Sequence, residues 1–174
     1  MPLSSLTRLF QPRPDPREAL RPLWHRVVER SRDPAWYRDC GVADTVGGRF
    51  DMIVAILALV LLRLEREPET GPEQALLTEL FVEEMDGQLR ESGVGDLVVG
   101  KHIGRLVSAL GGRLGAFRTA LAEGNGAAWR EALARNVALN DGADTQALAA
   151  RLFALRQRLD ETPSEALLAG ELPQ

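Results

Sequence analysis

Met52 to Leu62 is an unbroken run of eleven apolar residues, bracketed by Arg49 and Asp51 on one side and Arg63 on the other. Crossing a bilayer takes about 20 such residues, so a run of this length between charges predicts a helix buried inside a protein. Its middle is apolar all round, and a helix of that kind must be enclosed by other helices. The remainder of the chain has to supply them.

The composition suits that task. Ala, Leu, Val, Arg and Glu dominate, aromatics make up only 5%, and β-branched residues rarely cluster, so local propensity favours helix almost throughout. The 174 residues fit one domain with a core of its own. With 21 basic and 25 acidic residues interspersed, the net charge of −4 gives no overall basic field, and specific DNA binding is not expected, although a local basic stripe remains compatible. The lone Cys40 excludes an intramolecular disulfide framework, and no paired Cys/His spacing suggests zinc. A reducing compartment fits.

Helix signals recur along the chain. Asp15-Pro16-Arg17-Glu18 opens a first helix carrying Leu20, Leu23, Trp24, Val27 and Val28, with Pro22 predicting a kink or a later start. A short turn bears Trp36 and Tyr37 and closes at Gly41. Asp44 is the expected cap of the central helix, about residues 45–66, and Thr70-Gly71-Pro72-Glu73 reads as a capping box for a third long helix ending at Ser92-Gly93. Asp96 opens a fourth, in which Ile103, Leu106, Val107, Leu110, Leu114, Phe117 and Leu121 form an apolar stripe. A fifth carries Trp129, Leu133 and Val137, a sixth Leu148, Leu152, Leu155 and Leu159, and Thr162 to Glu165 cap a last short one. The expected fold is all-α: an irregular bundle of six or seven helices around the 45–66 helix, spanning 15–170 as one domain. Residues 1–14, with Leu3, Leu6, Leu9 and Phe10 beside Arg8 and Arg13, are too interrupted for a secretory signal. They are expected either as a flexible tail or as one or two amphipathic turns at the inner face of a membrane, and the protein is expected in the cytoplasm.

In the fourth helix, Gly100, Gly104, Ser108, Gly111 and Gly115 fall within about 80° of one another at 100° per residue. Four glycines on one strip cost about 4 kcal/mol relative to alanine, which close approach of another backbone would offset. That backbone is either a helix of the same domain or an apolar helix of a partner; the remaining reading is a helix break at Gly111-Gly112. Lys101, Arg105 and Arg113, with His102 nearby, form a basic edge that is either solvated or placed against an acidic partner, lipid head groups or ribosomal RNA.

No catalytic centre emerges. Glu79, Glu83 and Asp86 share a face that reads as solvated rather than as a metal site, and neither His25 nor His102 has Glu-x-x-His spacing. Glu84 projects into the apolar arc between Leu77 and Leu80 and requires a partner there, with an arginine such as Arg49 the expected choice. His25, His102 and Cys40 lack the neighbours that orient or activate a reactive group. No cofactor or metal is expected.

Two stretches together carry a family resemblance: Trp36-Tyr37 through Asp44-Thr45-Val46-Gly47-Gly48-Arg49-Phe50-Asp51, and Phe81-Val82-Glu83-Glu84-Met85-Asp86 through Leu89-Arg90-Glu91-Ser92-Gly93-Val94-Gly95-Asp96 to Gly100-Lys101. Over about residues 20–138 the chain resembles the ubiquinol–cytochrome c chaperone family, whose mitochondrial members help assemble respiratory complex III. The resemblance implies a non-enzymatic assembly factor that binds newly made cytochrome b, or another immature membrane-protein client, near the ribosome or membrane surface. It implies association with a small partner protein as well. The chain lacks a long N-terminal targeting extension, which suggests a bacterial member, and Leu110-Gly111-Gly112-Arg113 lacks an aromatic associated with that segment. Expected contact residues are Arg49, Phe50, Asp51, Asp86, Arg90, Gly100, Lys101, Gly104 and Arg105, with Phe50 and Asp51 equally open to structural roles. A monomer or weak oligomer is expected. Readings from other classes are a lipid- or quinone-binding helical protein and a metal-dependent enzyme using the Glu79, Glu83 and Asp86 carboxylates.

Overall fold

The computed structural model describes residues 15–91 and 99–173, and the side chains of these residues outside 89–102. The described chain is helical. A 3-10 turn, Pro16–Leu20, leads into α1 (Arg21–Ser31), followed by α2 (Pro34–Arg38), α3 (Val46–Leu64) and α4 (Gly71–Glu91). Then come α5 (Val99–Ala122), α6 (Gly126–Asn136), α7 (Gln146–Glu161) and α8 (Ser164–Leu168). Six of these have eleven residues or more, as the irregular bundle requires.

The central helix is where the apolar run places it. Met52 to Leu61 are all buried and Leu62 is half-buried, so α3 presents almost no free face. Around it, Leu23, Trp24 and Val27 come from α1, Leu77, Leu80 and Phe81 from α4, Leu106, Leu110 and Phe117 from α5, and Leu148, Leu152 and Leu155 from α7. Trp24 meets Phe81 edge-on at 6.0 Å, and Phe117 meets Trp129 at 4.9 Å. Both pairs have the edge-to-face arrangement that aromatic quadrupoles favour. No described helix is long and apolar enough to cross a membrane.

Several local expectations are refined. Pro22 stands at the second position of α1, so the chain passes through a 3-10 turn and restarts as an α-helix where proline costs no hydrogen bond. The cap of α3 is Thr45 rather than Asp44: its Oγ1 accepts the Gly48 N–H at 3.1 Å, while Asp44 pairs with Arg49. Thr70 does not form the expected capping box, because its hydroxyl donates to the carbonyls of Leu64 and Glu67 and so closes the end of α3. The Asp96 cap and the Gly93–Asp96 turn lie outside the described residues.

Candidate functional site

The first turns of α3 sort the Asp44–Asp51 motif into residues that build the fold and residues that face outward. Ahead of α3, Ala43 N–H donates to Ala138 O and Asn140 N–H to Gly41 O, each at 2.9 Å, pinning the α6–α7 connection against this segment. Gly48 is buried, and a Cβ there would stand 2.0 Å from the Ala43 carbonyl oxygen. Only glycine lets the chain turn so tightly into the helix.

Successive side chains on a helix diverge by about 100°, and Arg49, Phe50 and Asp51 therefore take different roles. Asp51 turns inward to an ion pair with Arg113 of α5; the side chains are only 17% and 11% exposed. Asp51 Oδ2 also accepts the Ala138 N–H at 3.0 Å, and Arg113 Nε donates to Asn136 O at 3.0 Å. Burial pushes the Asp51 carboxyl up, against the opposing pull of the Ala138 N–H and the Arg113 charge, and burial lowers Arg113. The network ties α3, α5 and the end of α6 together. Arg113 is thus no part of an exposed basic edge, because its guanidinium is spent inside the bundle.

Phe50 is half-buried, its ring 6.4 Å from Phe81 and 6.0 Å from the Arg113 guanidinium. It helps line a groove of about 490 Å³ with Val46, Arg49 and Ile53 of α3, Met85 and Gln88 of α4, and Leu106 of α5. Val46, at the mouth of α3, is 88% exposed. Arg49 is exposed, pairs with Asp44 at 2.7 Å, holds that carboxyl below its usual range, and lies 5.9 Å from the Tyr37 ring. It is not the partner of Glu84. Arg21 fills that role at 2.5 Å, and Arg17 takes Glu83 at 2.7 Å, so α4 is clamped by the chain leading into and starting α1.

On α5 the described part of the glycine strip, Gly104, Gly111 and Gly115, has no described residue packed on it. An added Cβ at Gly104, Gly111, Gly112 or Gly115 would meet nothing within 4 Å. Among the described residues, the intramolecular-packing reading is therefore overturned. So is the break, since α5 runs through Gly111-Gly112 uninterrupted. The apolar stripe is also narrower than its spacing suggested: Leu106, Leu110 and Phe117 are buried, but Ile103 and Val107 are 38% and 49% exposed. Both sit on the flank of the stripe nearest the glycines, where contact candidates could have been sought. Arg105 is exposed beyond the strip. Asp86 is half-buried and follows groove-lining Met85. The side chains of Arg90, Lys101 and His102, and the surroundings of Gly100, lie outside what the structure describes.

The residues considered for chemistry do not converge. His25 is exposed on α1, and Cys40 is buried, its thiol pushed up by desolvation. No group of three or more His, Cys, Asp or Glu among the described residues is placed to hold a metal ion.

Four large apolar side chains among the described residues are exposed: Val46, Ile103, Val107 and Phe153. The first lines the α3–α4–α5 groove, and the next two flank the glycine strip on α5, the helix whose Leu106 walls that groove. The described surface of α5 thus carries an exposed apolar edge beside a strip of small residues.

The chain belongs to the ubiquinol-cytochrome C chaperone family, whose model matches residues 38–173. A solved relative, the Cbp3 homolog from Brucella abortus, superposes with a TM-score of 0.77 at 30% sequence identity, over 89% of this chain and 87% of the other. No curated protein sequence matches. The protein is a chaperone by family, and a chaperone acts on a client.

Proposed function

We propose that the client is newly made cytochrome b, held during assembly of the ubiquinol–cytochrome c reductase complex, and that holding it requires no catalysis by this chain. The family and the Brucella relative support the chaperone part of this reading. The observation that carries the binding face is the open glycine strip of α5 flanked by exposed Ile103 and Val107.

An immature membrane subunit offers apolar helices that are not yet packed on one another. Small residues let such a helix approach a backbone closely, so that dispersion contacts accumulate along the whole contact. Gly104, Gly111 and Gly115 supply that approach, and Ile103 and Val107 supply apolar edges. The groove walled by Leu106, with Phe50, Ile53 and Met85, offers room for a side chain projecting from the client, with exposed Arg49 on its rim and exposed Arg105 beyond the strip. Arg90, Gly100 and Lys101 extend the same proposal along the family motif. Asp51 is left out of the contact set, since its carboxylate is consumed by Arg113 and Ala138.

The test is pulse-labelling of cytochrome b in cells that carry a tagged copy of this protein. The labelled subunit is expected in the tagged fraction soon after synthesis and to leave it as the mature complex accumulates. Normal cytochrome b maturation in cells lacking the protein would refute the reading.

A further inference from the structure

A second surface lies at the opposite end of α5. Between the C-terminal turn of α5, the start of α6 and the first turns of α7 is a groove of about 510 Å³. Its floor is apolar, built from Leu121, buried Trp129 and Ala149, with Phe153 left 39% exposed on the wall. Trp129 is fixed in place, because its Nε1–H donates to Ala149 O at 3.0 Å.

The rim is cationic in a protein whose net charge is −4. Arg130 and Arg156 line the groove and no carboxylate does. Arg130 is exposed, its Nη1 lies 3.4 Å from the position a Cβ on Gly126 would take, and no acidic group among the described residues pairs with it. Arg156 has Asp160 at 3.1 Å, but that carboxylate also takes Arg66 at 3.1 Å, leaving one acid for two arginines. The first turn of α6 opens at the same place and adds the partial positive charge of a helix start. Arg130, without a carboxylate among the described residues, and Arg156, sharing one, stand beside an uncovered aromatic ring.

We propose that this groove docks an acidic protein segment carrying a bulky apolar side chain. The side chain rests against Phe153 over the Trp129 floor, and flanking carboxylates meet Arg130 and Arg156. An apolar anchor ringed by charge-complementary contacts is the usual anatomy of a specific protein interface. Leu121 lies six residues beyond Gly115, the last glycine of the strip, about 9 Å along the helix at 1.5 Å per residue. The proposal rests on this groove alone and stands whether or not the α5 strip binds cytochrome b.

The test uses two synthetic helix-forming peptides with identical leucine and phenylalanine positions, one with glutamate and the other with lysine elsewhere. Binding is followed by two-dimensional NMR of the isotope-labelled full-length protein. The glutamate peptide is expected to shift the Trp129 indole N–H and the amides of Gly124, Gly126 and Gln146, and the lysine peptide to leave them in place. Phe153→Asp and Arg130→Glu are each expected to weaken binding at least tenfold with the rest of the spectrum unchanged; Arg130 is exposed, so its variant stays informative if Phe153→Asp unfolds. Equal binding of both peptides, shifts confined to other surfaces, or titration of the groove by phosphatidylglycerol vesicles but not by the glutamate peptide would overturn the proposal, the last in favour of a lipid.

Discussion

Asp51 is the residue whose role changes most between sequence and structure. In the linear motif it sits beside Arg49 and Phe50 and shares their claim to a contact role. In the fold it is half of a buried ion pair whose remaining hydrogen-bonding capacity is taken by backbone at Ala138 and Asn136. Asp51→Asn should cost about 3–5 kcal/mol, because it leaves the Arg113 charge buried without its counter-ion. Denaturant melts check this, and the folded fraction should still capture client. Gly48→Ala should also destabilise, by about 1–3 kcal/mol, as the new methyl is forced against the Ala43 carbonyl. Neither partner was legible in sequence: Arg113 lies 62 residues from Asp51, and the spacing of one helix says nothing about what the next one places opposite. Asp15 gives a pH test at the same scale. Its carboxyl, bonded to the Arg17 side chain and backbone, is lowered from 3.8 to about 2. A lowered acid stabilises the fold above its unfolded value and loses that contribution as pH falls through the folded one. The 3-10 turn at Pro16–Leu20 should therefore hold at pH 4 and loosen toward pH 2, followed by the Arg17 amide resonance.

At the scale of elements, α5 carries the account. Its periodicity correctly identified Leu106, Leu110 and Phe117 as core, and the glycine strip was visible as an expensive anomaly. What periodicity could not show is that the strip faces outward, or that the stripe's edge at Ile103 and Val107 goes with it. Both depend on how α5 rolls against α3, and that is set by the Arg113 anchor and the Phe117–Trp129 contact. Because Gly104 meets open space, Gly104→Leu should leave the melting temperature unchanged or raise it slightly, with leucine gaining about 0.5–1 kcal/mol in helix propensity. Client capture should fall at the same time. A falling melting temperature would instead signal a closed core contact. Reversing charge with Lys101→Glu and Arg105→Glu should weaken capture most at low salt, where charges are least screened.

For the whole molecule, the eleven-residue apolar run and the helix-favouring composition were enough to predict an all-helical bundle around a central helix, since α3 has no other way to leave water. The family resemblance was likewise readable from two motifs, and in the first Thr45, Gly48 and Asp51 build the turn and the anchor, while Arg49 and Phe50 line the groove. The central claim is that the outward face of α5 holds cytochrome b. Its most direct measurement places a photo-crosslinking amino acid, in living cells, at Val107 on that face and at exposed Arg26 on α1. The account predicts a crosslink from position 107 to newly made cytochrome b and none from position 26. A crosslink from position 26 with none from 107, in a folded protein, would contradict it.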